Sequence, residues 1–226
     1  MQIAQALAEV RDNIRRAQAA SRYAAQEVRL LAVSKTQPVE RIAEAAAAGQ
    51  QVFAENRVQE LLEKHQALPH LEWHLIGHLQ TNKVKYMVDK VKLLHSLDSF
   101  SLAQELQKRA EAIKFVLPVL VQVNIAEEES KFGLSTAELA DFLDAMSSFT
   151  ALSVRGLMTI GPFVEKAEEI RPVFRELRRI LNYEQARCRP YVDLRHLSMG
   201  MSNDYMVAVE EGADMVRVGS SIFGSR

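Results

Sequence analysis

The sequence predicts an α/β fold, a single closed (β/α)8 barrel with an extra helix at its N-terminus. Short apolar runs begin at Leu30, Gln51, Glu72 and Leu93, 21 residues apart, and a segment of helical character follows each of them. Four further runs bring the number of predicted strands to eight. Because these runs lack clean alternation, they are typical of parallel strands covered on both faces. Eight such βα units in one chain predict a closed barrel.

An open, doubly wound parallel sheet is the alternative fold. Dinucleotide-binding sheets of that kind carry a Gly-x-Gly-x-x-Gly turn after the first strand. Residues 34–38 of this chain read Ser-Lys-Thr-Gln-Pro instead. The barrel is therefore the preferred prediction.

The first predicted element is a helix. Ile3, Leu7, Val10 and Ile14 recur at spacings of four and three, which predicts an amphipathic helix within residues 1–27 that packs on the barrel.

The later elements alternate between strands and helices. The helix after the first strand is bounded by Pro38 and Gly49, since proline suits a first helical turn and glycine suits the residue past a helix end. The predicted strands, by residue number, are 30–35, 51–56, 72–77, 93–98, 116–125, 152–160, 196–202 and 215–219.

The composition is that of an ordinary globular chain. Of 226 residues, 48% are hydrophobic and 25% are charged, and a formal net charge of −1 gives no global field for nucleic acid or an anionic membrane surface. No apolar run reaches the roughly 18 residues of a membrane span. The single cysteine, Cys188, forms no internal disulfide, which suits a reducing compartment. We expect one cytoplasmic domain, residues 1–226, without a targeting segment, and a solvated loop at residues 127–129.

Lys35 is the leading candidate for chemistry. Active sites of such barrels lie at the carboxyl ends of the strands, and Lys35 closes the first strand on the face shared by Leu31 and Val33. We expect its amine to lie at or inside the mouth, partly desolvated, where it suits nucleophilic attack on an aldehyde. The alternative is a lysine that extends from a strand end into water.

The last two strand ends supply a second cluster. Ser202, Gly219 and Ser220 offer hydroxyl and backbone N–H groups ahead of a helix start, an arrangement with which barrels hold phosphate. The alternative is that Gly219 and Ser220 only turn the chain. Arg217 is the one charge within residues 215–218 and requires a partner, either a ligand at the mouth or a carboxylate in a structural salt bridge.

Other polar residues lie near predicted strand ends. Asn56 ends the second strand and Met158 lies at the end of the sixth, although a methionine there is by default a packing residue. His70, His74 and His78 are four residues apart, which suits metal binding on a helix, but this segment is predicted as a strand and its end. We therefore expect no metal site.

Six segments, taken in order, resemble one known family. They are residues 30–36 (LLAVSKT), 54–60 (AENRVQE), 73–83 (WHLIGHLQTNK), 155–160 (RGLMTI), 198–204 (SMGMSND) and 216–224 (VRVGSSIFG). Together they resemble the pyridoxal phosphate homeostasis protein family, and the resemblance extends from about residue 3 to the end of the sequence.

The resemblance implies a fold and a cofactor. It implies the TIM barrel of the alanine racemase N-terminal domain, with pyridoxal 5'-phosphate (PLP) held as a Schiff base on Lys35. The other cofactor-binding residues that it implies are Ser202, Gly219 and Ser220 for the phosphate, Arg217 for the pyridine nitrogen, and Asn56, His78 and Met158 for the ring pocket.

The implied role is to hold, buffer or deliver PLP in vitamin B6 homeostasis, without an established catalytic activity. Apo forms of PLP-dependent enzymes are the implied recipients, and we expect a monomer that binds neither nucleic acid nor membrane. Two positions depart from the family pattern: Gln37 stands where many members have a second lysine, and Ala54 where glycine is common. The first departure argues against PLP transfer between lysines through position 37.

Two enzymatic functions are the alternatives. A PLP-dependent amino-acid racemase needs a second base on the opposite face of the substrate, which related racemases take from a separate β domain, and we expect no such domain in this chain. A barrel aldolase acting on a sugar phosphate would more often carry its lysine on a later strand, with acidic residues nearby.

Overall fold

Eight parallel strands form the centre of the molecule. The computed structural model describes residues 2–23, 27–126, 132–162 and 164–224. The strands are β1 (Arg29–Val33), β2 (Val52–Glu55), β3 (Glu72–Leu75), β4 (Leu93–Leu97), β5 (Leu117–Gln122), β6 (Leu152–Met158), β7 (Val192–Met201) and β8 (Met215–Val218). They pair in sequence order, and β8 pairs with β1 to close the barrel. The closed order confirms the predicted fold class and excludes the open sheet.

A helix follows every strand, as the βα pattern predicts. The helices of the described residues are α1 (Ile3–Ala20), α2 (Val39–Ala47), α3 (Val58–Ala67), α4 (Val84–Met87), α5 (Phe100–Ala112), α6 (Leu139–Met146), α7 (Arg171–Gln185), α8 (Tyr205–Glu210) and α9 (Ser220–Phe223). Within this described part, no helix has the length and apolar character needed to cross a membrane.

Helix α1 precedes the barrel and packs against α8 and α9. Ile3, Leu7, Val10 and Ile14 are all buried, which confirms that the apolar stripe faces the protein. Helix α1 also contacts α2, so it lies on the outside of the barrel against the helices that follow β1, β7 and β8.

The alternation of each strand divides the core in two. One set of side chains packs between the strands and the surrounding helices. The other set points into the barrel. Its apolar members are Leu31, Val33, Ala54, Ile76, Leu93, Leu120, Met158 and Met215.

Several predicted boundaries differ from the structure. β7 begins at Val192, four residues before the predicted start at position 196. The polar side chains of Asp193 and Arg195, which bond to each other on the barrel surface, conceal that start in the sequence. β5 is shorter than predicted and ends at Gln122. The predicted solvated loop at 127–129 lies outside the described residues.

Candidate binding site at the barrel mouth

The carboxyl ends of the strands surround a cavity of about 750 Å³. It lies between the ends of β1 and β2 on one side and those of β7 and β8 on the other. Six of the eight site residues predicted from the sequence line it: Lys35, Asn56, Ser202, Arg217, Gly219 and Ser220. The closed barrel therefore places Lys35 and Ser220, which are 185 positions apart in the chain, in the lining of one cavity.

Lys35 lies two residues past β1 and lines the cavity. Its side chain is exposed, so the expected partial desolvation is wrong for this structure. The residue after it, Thr36, has φ of 64°, a left-handed conformation that costs a non-glycine residue free energy. Such strain persists only where neighbouring contacts hold the backbone in place.

A buried ion-pair network provides those contacts. Lys64 on α3 donates to the backbone oxygen of Ser34 at 2.7 Å and to Oε1 of Glu55 at 2.8 Å. Glu60 Oε2 lies 3.1 Å from the same ammonium and accepts the backbone N–H of Thr36 at 2.6 Å. The network therefore fixes the chain on both sides of Lys35.

The pKa values of the two carboxylates in this network are shifted in opposite directions. Burial raises the pKa of Glu55, against the hydrogen bonds from Lys64 and Ser34. Burial also acts to raise the pKa of Glu60, but the N–H of Thr36 and the ammonium of Lys64 outweigh it, and the pKa of Glu60 is lowered. The sequence patterns did not predict Lys64 and Glu60 as residues of the site. The available signal was an acidic strand end, Glu55, followed nine residues later by a lysine on the next helix.

The ends of β7 and β8 meet through Ser202. Its Oγ accepts the backbone N–H of Gly219 at 3.1 Å, one residue before α9 begins at Ser220. The first N–H groups of a helix have no acceptor within the helix, so they are available to an anion. A Cβ on Gly219 would lie 3.1 Å from the backbone oxygen of Val33, so glycine allows β8 to approach β1 closely here.

Arg217 lies inside the barrel beneath this loop and is almost completely buried. Its guanidinium donates to Ser198 Oγ at 2.6 Å and to the backbone oxygen of Thr159 at 2.8 Å. Among the described residues no carboxylate forms an ion pair with it, so the structural salt bridge considered from the sequence is absent there. Burial lowers the pKa of Arg217 to about 10, with Asp204 acting in the opposite direction, so the group is charged at neutral pH.

Asn56, His78 and Met158 occupy three different positions. Asn56 lines the cavity, and its buried Oδ1 has no hydrogen-bond partner in the described part of the chain. His78 does not line the cavity: its ring stacks on Phe132 with centroids 3.8 Å apart, and its Nδ1 lies 3.2 Å from Asp98 Oδ2. Met158 is fully buried in the interior cluster beneath the cavity and does not reach its lining.

The three histidines that are four residues apart in the sequence do not lie together in the structure. His70 lies exposed in the turn before β3, His74 lies inside the barrel, and His78 lies near the mouth. Among the described residues, no group of three or more His, Cys, Asp or Glu side chains is suited to a metal ion.

Position 37 lines the cavity with a neutral amide, Gln37, whose Oε1 accepts from Arg41 at 3.0 Å.

Comparison with known proteins agrees with the barrel fold. Residues 6–226 match the family model of the alanine racemase N-terminal domain. A relative from Aquifex aeolicus, named pyridoxal phosphate homeostasis protein, is 49% identical over 201 residues, which cover 88% of this chain and 87% of the relative. The structure of PipY from Synechococcus elongatus with PLP bound is 37% identical, with a TM-score of 0.85 over 99% of this chain and 100% of that chain.

More distant structures share the fold alone. Alanine racemase from Clostridium difficile, 15% identical, has a TM-score of 0.72 over 95% of this chain and 58% of its own. The fold and the mouth cavity thus define a barrel of the alanine racemase N-terminal class. Within that class, the chain belongs to the pyridoxal phosphate homeostasis protein family.

Proposed function

We propose that this chain binds PLP in the mouth cavity and holds it for delivery, as part of PLP homeostasis. One observation carries the proposal: Lys35 lines the same cavity as Ser202, Gly219 and Ser220, whose hydroxyl and backbone N–H groups suit an anion. PLP carries an aldehyde and a phosphate, the two groups that these features suit. The name of the Aquifex aeolicus relative and the PLP-bound structure of PipY support the proposal.

The residues present fit this cofactor. The cavity volume lies within the roughly 300–1,000 Å³ typical of small-molecule sites. Two cationic side chains, Lys35 and Arg217, line it against one carboxylate, Asp204, which favours an anionic ligand. Asn56 Oδ1 is a buried acceptor without a partner among the described residues, and buried polar atoms are normally hydrogen-bonded.

Each side chain then has a proposed role. When bound, PLP would supply an aldehyde that can react reversibly with a primary amine. Lys35 provides that amine, and the contacts of Lys64 hold the backbone beside it. Ser202 would donate its hydroxyl proton to the phosphate, and the N–H of Ser220 would donate beside it. The N–H of Gly219, which Ser202 Oγ accepts in this structure, would be shared with the phosphate.

The ring pocket involves the remaining residues. Arg217 would donate a guanidinium N–H to the pyridine nitrogen, and Asn56 would accept a hydrogen bond from a ring substituent. His78 acts at the rim through its stack with Phe132. Met158 supports the floor through the interior cluster that includes Val33 and Ile76, both of which line the cavity.

The site suits binding without turnover. A guanidinium only donates hydrogen bonds, so Arg217 at the pyridine nitrogen keeps that nitrogen unprotonated, and the ring is then a poor electron sink. Racemisation also requires bases on both faces of a substrate. The titratable side chains lining the described cavity are Lys35, Asp204 and Arg217, and Asp204 already accepts the N–H of Met201 at 2.6 Å. We therefore propose a binding protein rather than a racemase.

The remaining expectations complete the proposal. Residues 1–226 act as one PLP-binding domain, in which α1 packs on the barrel. The protein acts as a monomer in the cytoplasm and passes PLP to apo forms of PLP-dependent enzymes.

Titration with PLP and with unphosphorylated pyridoxal tests the proposal. We expect the wild type to develop a visible absorption band with either ligand and to bind PLP more tightly. Ser202→Ala should weaken PLP binding about tenfold, because one charge-assisted hydrogen bond is lost, and should leave pyridoxal binding almost unchanged. Ser148→Ala, an exposed serine outside the cavity, is the matched control. Failure of the wild type to form the band would overturn the proposal.

A further inference from the structure

A line of hydrogen bonds crosses the inside of the barrel below the cavity. Arg217 donates to Ser198 Oγ at 2.6 Å, and that oxygen lies 2.9 Å from Nδ1 of His95. Nε2 of His95 lies 2.8 Å from Nδ1 of His74, whose Nε2 lies 2.9 Å from Oε1 of Glu72. We call these five residues the interior column. It connects the mouth cavity to the opposite end of the barrel, where β3 begins.

The column is buried along its length except at its lower end. Ser198, His95 and His74 are inaccessible to solvent, and Arg217 is nearly so. The side chain of Glu72 is 30% exposed and also accepts from Arg29 at 2.8 Å, through the same Oε1. The column therefore joins a buried cation near the ligand site to a carboxylate that reaches water.

The charge states of the column can be assigned from its surroundings. Burial lowers the pKa of His74, and burial lowers the pKa of His95 further below the ordinary histidine value. A positive charge on His74, Arg217 or His196 would disfavour a further positive charge on His95. The hydrogen bond from His74 lowers the pKa of Glu72. At neutral pH both imidazoles are therefore neutral and Glu72 is ionised.

These charge states allow one arrangement of protons. An ionised carboxylate only accepts, so Nε2 of His74 carries its proton and Nδ1 is bare. His95 must then donate from Nε2 to that bare nitrogen, which leaves Nδ1 of His95 as an acceptor. Ser198 donates its hydroxyl proton to Nδ1 of His95 and accepts from Arg217. Every donor in the column points away from the cavity and toward Glu72.

We propose that Ser198, His95 and His74 are positioning residues that hold Arg217 as a fixed donor at the cavity floor, with Glu72 setting the direction of the column. The column occupies Nη1 of Arg217, and Thr159 occupies Nη2 through its backbone oxygen at 2.8 Å. With both terminal nitrogens anchored, the guanidinium has one orientation. That this guanidinium contacts bound PLP rests on the proposed function. The arrangement of protons in the column depends only on the protein's own residues.

Nitrogen NMR of the histidine rings in the PLP-free protein tests the column directly. We expect both His74 and His95 as neutral Nε2–H tautomers at pH 7. Glu72→Gln should preserve these signals, because a carbonyl oxygen still accepts from His74. Glu72→Leu removes the acceptor, so a measurable fraction of the Nδ1–H tautomer should appear at His95, which Glu72 does not touch. An Nδ1–H or protonated ring in the wild type, or identical His95 signals in all three proteins, would overturn the proposal.

The PLP-loaded protein provides the second readout. Ser198→Ala should shift the visible absorption maximum and weaken PLP and pyridoxal binding equally, about five- to tenfold, because the phosphate loop is untouched. Met215→Leu, an interior side chain on the same strand as Arg217, should change neither the maximum nor the affinity. An unchanged maximum in Ser198→Ala would count against the positioning role. Absence of any band in the wild type would instead refute the proposed function and leave the NMR result to decide the column.

Discussion

Replacing Lys64 by methionine tests whether the buried ion-pair network supports the backbone around Lys35. The ammonium of Lys64 has three oxygen partners between 2.7 and 3.1 Å. Lys64→Met keeps most of the side-chain volume but removes the charge. Glu55 is then a fully buried carboxylate whose Oε1 retains only the hydroxyl of Ser34, at 2.6 Å, and whose Oε2 already has no partner among the described residues.

Lys64→Met should lower the free energy of unfolding by a large amount for one substitution. Breaking a buried ion pair by removing one partner costs about 3–5 kcal/mol. With a urea slope of about 3 kcal/mol per molar, the unfolding midpoint should fall by about 1–2 M. Lys108→Met, at an exposed position on α5, should change the free energy of unfolding by less than about 0.5 kcal/mol. A loss below about 1 kcal/mol in Lys64→Met would refute the reasoning.

The loss should also depend on pH. Burial raises the pKa of Glu55 in the folded protein above its ordinary value of 4.5, and loss of Lys64 raises it further. A protonated carboxyl in this position does not destabilise the folded state, whereas an ionised one does. The free energy of unfolding therefore falls as the pH rises through the pKa that the carboxyl has in the folded protein. The difference between wild type and Lys64→Met should therefore be smaller at pH 4 than at pH 7. Adding Glu55→Gln to Lys64→Met should recover part of the stability at pH 7, because no buried charge remains.

Three further predictions concern the phosphate loop, a buried carboxylate and turnover. Gly219→Ala should weaken PLP binding about tenfold in a spectral titration, because its Cβ would press on the backbone oxygen of Val33; unchanged affinity would contradict the close approach of β8 to β1. Burial acts to raise the pKa of Glu211, but Arg175 and Arg171 outweigh it and lower the pKa below 4.5. Glu211→Gln should therefore cost about 2 kcal/mol at pH 7 in urea unfolding, a difference that is lost as the pH falls through the lowered pKa of Glu211 in the folded state; a constant difference would be inconsistent with that shift. PLP-loaded wild type should show negligible turnover with a panel of amino acids, and multiple turnovers as a racemase or transaminase would refute the non-catalytic proposal.

The barrel was predictable because its signals are local. The period of 21 residues between Leu30, Gln51, Glu72 and Leu93 reflects βα units of similar length. The β7 start at Val192 was not predictable in this way, since Asp193 and Arg195 face outward at the barrel end and interrupt the apolar pattern.

The ends of strands also made most of the site predictable. Lys35, Ser202 and Gly219 follow apolar runs, and a barrel brings such positions together whatever their separation in sequence. The partners of these residues were less accessible. Lys64 reaches the chain beside Lys35 from the middle of a helix, and its role depends on three-dimensional packing that no spacing in the sequence reports.

The interior column was hidden for a different reason. His74 and His95 lie within the mostly apolar strands β3 and β4. In the sequence, a polar side chain there indicates only an interruption of the apolar pattern. Only the closure of the barrel places them between Ser198 and Glu72. The expected desolvation of Lys35 was wrong because that residue lies past the strand end, where its side chain extends into an open mouth.

The central claim is that Lys35 holds PLP covalently. Borohydride reduction of the PLP-loaded protein, followed by digestion and mass spectrometry, measures which lysine carries the cofactor. We expect a phosphopyridoxyl mass on the peptide that contains Lys35, and we expect Lys35→Ala to lack both this mass and the visible band. A reduced adduct found mainly on another lysine, or an equal yield of adduct in Lys35→Ala, would contradict the account.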